Sequence, residues 1–576
     1  MPLGALAYHW AQGVRIDQNV MLPMPDGVSL ATNVLRPWWR PSALPTILIR
    51  TPYGKADTGR GYARKGYAVV VQDMRGRHDS EGVFTPYQTD AADGAATMDW
   101  IVRQPWSNGR IGTVGCSAAG ESQLVLAAAM HPAHHAMIAE GAGGGIGSAA
   151  DRFAYFGVYE GGVFQLASAF GWFAQGGEKT PTSTRTATER LADGVRSLPV
   201  LGMVDRYRSV ATDFDDFRRT PLGDPAWEKR GYLSDADKFS TPTLHVNNWY
   251  DQGVSDTLAA AALMSRHAVN EAARRQPVII GPGLHCETFG AGSGKVGDIT
   301  YENADIPFKT TYDRWLRDWL EGDGSATNDI PPYQVFVMGE NRWIASSTWP
   351  PADAVPMRWH LSSAGAANSR GGDGVLSRAA PEGAPAFDRF AADPLDPVPT
   401  RGGGFCCTGD PLARQGPTDQ RDVETRCDVL VYTSAPLTQS MRIAGPVALA
   451  ITVASSAADT DFIAKLVDVH PDGRAILIQQ GALRLRYRDG FRQPQRADPG
   501  ERYAIRISMR DIAWRLPAGH RLRVLIAGSD FPRLERNLNT GGNNYDEKQG
   551  VVAENKVFHG AGLSSYLQLS VLDKLP

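Results

Sequence analysis

At 576 residues the chain is longer than one hydrophobic core usually serves, so more than one domain is expected. Hydrophobic residues make up 42% and charged residues 21%, and 59 basic against 62 acidic residues leave a net charge of −3 with no long run of one sign. That balance argues against a nucleic-acid surface or an electrostatic membrane anchor.

From Val14 to about Ile49 short apolar stretches alternate with turn signals, among them the Pro-Asp-Gly of MPDGVSL, and TILIR (46–50) reads as a buried strand. YAVVVQDMRG (67–76) is a second strand of the continuous apolar kind that a parallel sheet covered on both faces requires. ADGAATMDWIVRQ (92–104) has helical spacing, and RIGTVGCSAAGESQLVLAAAM (110–130) runs strand, tight turn, helix. This alternation predicts a parallel α/β sheet. Residues 146–240 are aromatic-rich with helical periodicity and no buried strand, which reads as a helical insertion. TPTLHVNNW (241–249) and PVIIGPG (277–283) resume the α/β pattern, and STWPPADAVP (347–356) reads as a linker. From about Met357 onward many short strands follow one another without helices, as in a sandwich or jelly roll. The expected division is therefore 1–145 and 241–354 for the core, 146–240 for a cap, and 355–576 for the β domain.

The sharpest chemical signal is Gly115-Cys116-Ser117-Ala118-Ala119-Gly120, between an apolar strand and an apolar helix. A nucleophilic serine at such a turn stands on strained backbone and needs small neighbours, and the helix behind it aims amides at the site. A tight turn of small residues without chemistry has the same composition. The partners separate the two readings. Asp251 lies just past TLHVNNW and His285 just past PVIIG, both beyond the carboxyl ends of candidate strands, in the order serine, acid, histidine. In this reading Asp251 orients the imidazole and His285 accepts the Ser117 proton.

These segments resemble the cocaine esterase and X-Pro dipeptidyl-peptidase group of serine hydrolases, the CocE/NonD family. RTPYGK (50–55), QDMRGRHDSEGVF (72–84), GCSAAG, WYDQG and GPGLH are similar to its core motifs. VFVMGENRW (335–343), DTDFIAKLVDVHPDG (459–473) and SDFPRLERNLNTG (529–541) resemble its C-terminal hallmarks. The resemblance implies an α/β-hydrolase core with an inserted helical cap and a C-terminal β jelly roll. It also implies an oxyanion hole made by the Tyr53 hydroxyl and the Ala118 amide.

The match departs in places. The family commonly has Tyr after the nucleophile, where this chain has Ala118. Relatives that hold a free α-amine carry acids shortly after the catalytic Asp or in the cap, whereas Asp251 is followed by Gln252, Gly253, Val254 and Ser255. A buried ammonium without a carboxylate is costly, which marks down α-amino-ester and dipeptidyl-peptidase activity. Asp256 and the cap residue Glu160 are the acids left to consider. Gly253 stands where cocaine-cleaving relatives have an aromatic, so the acyl pocket is wider or is shaped by Phe153, Phe156, Phe164 and Trp172.

Other signals are weaker. GAGSGKV (290–296) lacks phosphate-loop spacing, with Phe289 and Val296 at positions that need Gly and Ser or Thr. EGAGGGIG (140–147) reads as the hinge into the cap, and HPAHHAM as a helix-ending loop with no acidic metal partner. Five cysteines without a CxxC pair do not suggest a disulfide framework or a zinc site, and Cys116 and Cys286 read as small buried fillers, with Cys116 a point of sensitivity to thiol reagents.

The expected protein is a serine carboxylesterase-type hydrolase acting on a small-molecule ester or amide, without cofactor or metal. Its acyl group lacks a recognised α-amine. Amide or β-lactam side-chain acylase and acyltransferase chemistry on the same residues are the enzymatic alternatives. A carbohydrate- or ligand-binding protein working through the jelly roll is the non-enzymatic one. Neither nucleic acid nor membrane is an expected partner. No apolar stretch of about 18 residues occurs, and the N-terminus does not read as a secretion signal, so the expected compartment is the cytoplasm. Oligomeric state stays open, the family often forming dimers.

Overall fold

The apolar runs of the first three-fifths of the chain pair into one ten-stranded sheet. The computed structural model describes residues 13–40, 42–55, 58–181, 190–287, 294–304, 308–408, 413–563 and 565–572. The strands are β1 (Val14–Pro23), β2 (Ser29–Pro37), β3 (Leu44–Thr51), β4 (Ala68–Asp73), β5 (Ser107–Cys116), β6 (His134–Glu140), β7 (Thr243–Tyr250), β8 (Val278–Leu284), β9 (Tyr333–Val337) and β10 (Arg342–Ser346). Their order is β1-β2-β4-β3-β5-β6-β7-β8-β9-β10. From β4 to β9 neighbouring strands are parallel, and the antiparallel pairs lie at the two edges.

Every residue of β3, β4 and β7 is buried, as a strand covered on both faces demands. The period of two sorts their side chains. Ile47, Ile49, Val69 and Val71 join Trp315 and Leu316 of one helix, while Leu48, Ala68 and Val70 join Met98 and Ile101 of another. These helices are α5 (Phe308–Glu321) and α1 (Asp90–Val102); α2 (Ala118–Ala127), α3 (Leu166–Gly176) and α4 (Val254–Arg266) lie between them in the chain. The segment HPAHHAM, expected to be a loop, opens β6. His134 is buried there against the Thr113 hydroxyl at 3.0 Å, because the strand begins where the polar residues still are.

Between β6 and β7 the chain forms short helices around an aromatic cluster that includes Phe156, Phe173, Phe217 and Trp227. The expectation of no strand in this region is corrected by a two-stranded hairpin, Tyr159–Glu160 with Val163–Phe164. Gly161 and Gly162, at φ 55° and 79°, make its turn, a conformation that favours glycine. Strands of two residues are too short to leave a periodic signal. A Cβ on Gly161 would meet the Ala482 carbonyl oxygen at 1.8 Å, so the turn presses against the C-terminal domain.

The C-terminal domain is an eleven-stranded β structure of jelly-roll type joined to an α/β-hydrolase core. Met441–Ser455 and Tyr503–Leu516 pair antiparallel through a bulge, and Asp461–Val469 and Ala475–Arg484 are buried throughout. One apolar cluster runs from Trp249, Tyr250 and Val254 in the core to Trp514 and Ile512 in this domain. No helix among the described residues is long and apolar enough to cross a membrane. The segment GAGSGKV is described only from Gly294 onward, where Gly294–Val296 forms a short strand.

Candidate active site

Ser117 sits between β5 and α2 at φ 60° and ψ −136°, a left-handed conformation that costs a non-glycine residue about 1–3 kcal/mol. Small neighbours permit it. A Cβ on Gly115 would meet the Ala119 carbonyl oxygen at 2.6 Å, and one on Gly120 the Glu140 carbonyl oxygen at 2.6 Å. The Ser117 N–H donates to the Glu140 carbonyl at 3.0 Å, and the Ala118 amide donates to the Tyr53 hydroxyl.

Tyr53 reaches the same point from the loop after β3. Its hydroxyl donates to Ser117 Oγ at 3.4 Å and accepts from Trp172 Nε1 at 3.1 Å. Desolvation of that end raises the phenol above its usual pKa, against hydrogen bonds with Ser117, Trp172 and the Ala118 amide that lower it. The loop is pinned by the QDMRGRHD segment. Arg77 Nε and His78 Nε2 both contact the Pro52 carbonyl at 3.1 Å, and Lys55 bridges Asp73 at 2.7 Å and Asp79 at 2.6 Å.

Asp251 and His285 meet from β7 and β8. His285 Nδ1 lies 2.5 Å from Asp251 Oδ2, and the Gly253 amide donates to Asp251 Oδ1 at 2.6 Å. Burial alone would depress the imidazole, yet the charge and hydrogen bond of Asp251 outweigh it and the net shift is upward. Burial likewise opposes ionisation of Asp251, but His285 and the Gly253 and Asn247 donors hold its carboxyl below the usual range. The ring packs over Gly141, where a Cβ would meet it at 3.2 Å. His285 Nε2 is buried and has no hydrogen-bond partner among the described residues. Ser117 and His285 therefore make no hydrogen bond here; such contacts tighten in a substrate complex.

The two acids left to consider for an ammonium are both neutralised. Glu160 is paired with Arg510 and, at 2.6 Å, with Arg533, and Asp256 with Arg152 at 2.5 Å. Of the cap aromatics, Trp172 touches the Tyr53 hydroxyl and Phe156 stacks edge-on against Trp172 at 4.5 Å between centroids. Phe153 and Phe164 are core residues, fully or nearly fully buried.

Three features were missed in the sequence. Cys116 and Cys286, read there as fillers, form a disulfide with Cα atoms 5.9 Å apart, and 170 residues of separation hide that pairing. Cys406 and Cys407 form a second disulfide, and Gln252 Nε2 donates to Cys406 Sγ at 3.2 Å. Glu121, in the first turn of α2, accepts from the Tyr87 hydroxyl, and burial pushes its carboxyl up to about 7. A single carboxylate in a helix whose every residue is buried was the available signal for Glu121.

The model of the X-Pro dipeptidyl-peptidase (S15 family) matches residues 26–287, and that of the X-Pro dipeptidyl-peptidase C-terminal non-catalytic domain matches 325–568. A cocaine esterase of Rhodococcus sp. (strain MB1 Bresler) is 33% identical, covering 97% of this chain and 99% of its own. The chain belongs to the CocE/NonD family of serine hydrolases. Among solved structures of that fold, an aminopeptidase from a marine sediment archaeon, Thaumarchaeota archaeon, superposes with a TM-score of 0.80 at 21% identity, covering 97% of each chain. An α-amino acid ester hydrolase does so with a TM-score of 0.79 at 23% identity, also over 97% of each.

Proposed function

We propose that this serine hydrolase cleaves carboxylic esters whose acyl group carries no recognised α-amine, through an acyl-enzyme on Ser117. One observation carries the reading: the Ser117 hydroxyl shares its surroundings with the Tyr53 hydroxyl at 3.4 Å, beside a His285–Asp251 pair at 2.5 Å. Ser117 Oγ attacks the ester carbonyl as His285 Nε2 takes its proton, and Asp251 stabilises the imidazolium. The Tyr53 hydroxyl and the Ala118 N–H hold the oxyanion. The alcohol leaves with the proton from His285, and water, deprotonated by the same nitrogen, releases the acid. Neutralisation of Glu160 and Asp256 by arginines supports the absence of ammonium recognition, since neither carboxylate is left uncompensated.

The test is turnover of p-nitrophenyl esters and matching p-nitroanilides, with and without an α-amino group. Ser117→Ala is expected to lose on the order of 10⁴–10⁶ in kcat. The α-amino group should bring little gain in kcat/KM. Preference for the anilides would move the protein to the amidase alternative, and a Ser117→Ala enzyme as fast as wild type would end the nucleophile assignment.

A further inference from the structure

Four of the five cysteines stand around the candidate site: Cys116 and Cys286 are chain neighbours of Ser117 and His285, and Cys406 and Cys407 approach from the C-terminal domain. The sulfurs of Cys406 and Cys407 and a ring nitrogen of His285 all lie within 4.8 Å of one another. The His285 side chain is only 8% exposed, its Nδ1 is engaged by Asp251, and its Nε2 has no partner among the described residues. A hydrogen on Nδ1 leaves the Nε2 lone pair free.

We propose that, once the Cys406–Cys407 disulfide is reduced, these two sulfurs and His285 Nε2 form a binding site for one thiophilic divalent cation of tetrahedral preference, Zn2+ in the first instance, which turns the hydrolase off. Two thiolates and an imidazole are a donor set that suits zinc, with water in the fourth position. The support that such ligands need is already built. Asp251 fixes the ring tautomer as a carboxylate does behind a zinc-bound histidine, and the Gln252 amide donates to Cys406 Sγ. Cys406 is buried, so one sulfur is shielded from solvent. In the oxidised protein both sulfurs are tied to each other and neither is a thiolate, so the site is closed to metal.

The chemistry balances with a dithiol reductant. The Sγ–Sγ bond breaks, two electrons and two protons pass to Cys406 and Cys407, and the reductant's two thiols close into its own disulfide. Zn2+ then displaces both thiol protons and forms two Zn–S bonds and one Zn–N bond. The Nε2 lone pair that would accept the Ser117 proton is consumed. The effect on hydrolysis rests on the proposed role of His285; the binding itself does not.

The experiment uses the full chain, reduced with a dithiol, freed of it under inert gas, and checked for free thiols by titration. Co2+ is added as the spectroscopic stand-in, then Zn2+. A single equivalent of cobalt should bring up a sulfur-to-cobalt charge-transfer band that zinc abolishes. The band should be missing from the oxidised protein and from Cys406→Ser/Cys407→Ser. Cobalt held by Asp468, His470 and His520, a second group whose ligand atoms lie within 4.8 Å, carries no sulfur and gives no such band. In parallel, stoichiometric Zn2+ should abolish p-nitrophenyl ester turnover by the reduced wild type, with recovery on chelation. The ratio of rates with and without Zn2+ should stay near unity in the double variant. Free thiols without the band, or a band that survives in the double variant, would overturn the site. A band with undiminished hydrolysis would leave the site in place but overturn both the shut-off and the proton-accepting role of His285.

Discussion

The two halves of the candidate site are held by different means. Ser117 and Ala118 are placed by their own turn: a left-handed residue, glycines on either side, and a backbone hydrogen bond from Ser117 to Glu140 within the same sheet. Asp251 and His285 hang on loops that the C-terminal domain braces from more than a hundred residues downstream. Tyr250 donates to the Leu477 carbonyl at 3.0 Å, and a Cβ on Gly404 would meet the carbonyl oxygens of Tyr250 and Asp251 at 3.0 and 3.1 Å. A strained turn can be specified by a hexapeptide, whereas the Asp251–His285 pair is packed against a second domain.

Removing the charge of Asp251 tests the second half most severely. Asp251→Asn keeps the shape but presents an amide to His285 Nδ1 and favours the wrong tautomer. The expected loss in kcat is about 10⁴ with circular dichroism unchanged, as in serine hydrolases generally. A loss below tenfold would mean that Asp251 is not the acid. Tyr53→Phe probes the other half. It deletes the hydroxyl proposed to hold the oxyanion, so kcat should fall by about 10²–10³ while KM barely moves. Gly404→Ala then asks whether the C-terminal domain matters to the chemistry. Its new Cβ would stand 2.7 Å from Arg510 Nη1 as well as against the acid loop, and the displacement should cost up to about 10² in kcat. Because Asp251 holds the His285 pKa up, the acid limb of kcat/KM in wild type should lie above the free-histidine range, with activity lost as pH falls through it. In Gly404→Ala that limb should move down. An unmoved limb and unchanged kcat would show the brace to be irrelevant.

The same contrast explains what was legible in the sequence. β3, β4, β7 and β8 announce themselves as buried runs, and the Ser117 turn as small residues between strand and helix, because each is a local arrangement. Tyr53 could be singled out only through family resemblance, since nothing around RTPYGK shows that its hydroxyl ends 3.4 Å from Ser117 Oγ. The C-terminal strands were readable as strands, yet their order, with Met441–Ser455 paired to Tyr503–Leu516, Ala553–His559 and Tyr566–Leu572, is a tertiary fact. The cysteines show the limit most sharply. Cys286 finds Cys116 across 170 residues, and Cys406 and Cys407 reach His285 from another domain. Composition suggested no disulfide framework because pairing depends on the fold, and an odd count says nothing about which four of five come together.

Glu121 offers the finest test of the Ser117 half, since it lies one helical turn behind Ser117 and takes the Tyr87 hydroxyl. Burial raises its carboxyl from 4.5 to about 7. A raised folded-state value favours the protonated form on folding, so the contribution is fully present below pH 4.5 and is lost progressively as pH rises to about 7. Glu121→Gln keeps the shape and removes that loss. At pH 4 the variant and wild type should unfold at similar urea concentrations. Above pH 7 the variant should be the more stable, by at most about 3 kcal/mol. Equal pH dependence of the two proteins would mean that Glu121 ionises freely, and that the buried floor beneath the Ser117 turn is wetter than its hydrogen bond from Tyr87 implies.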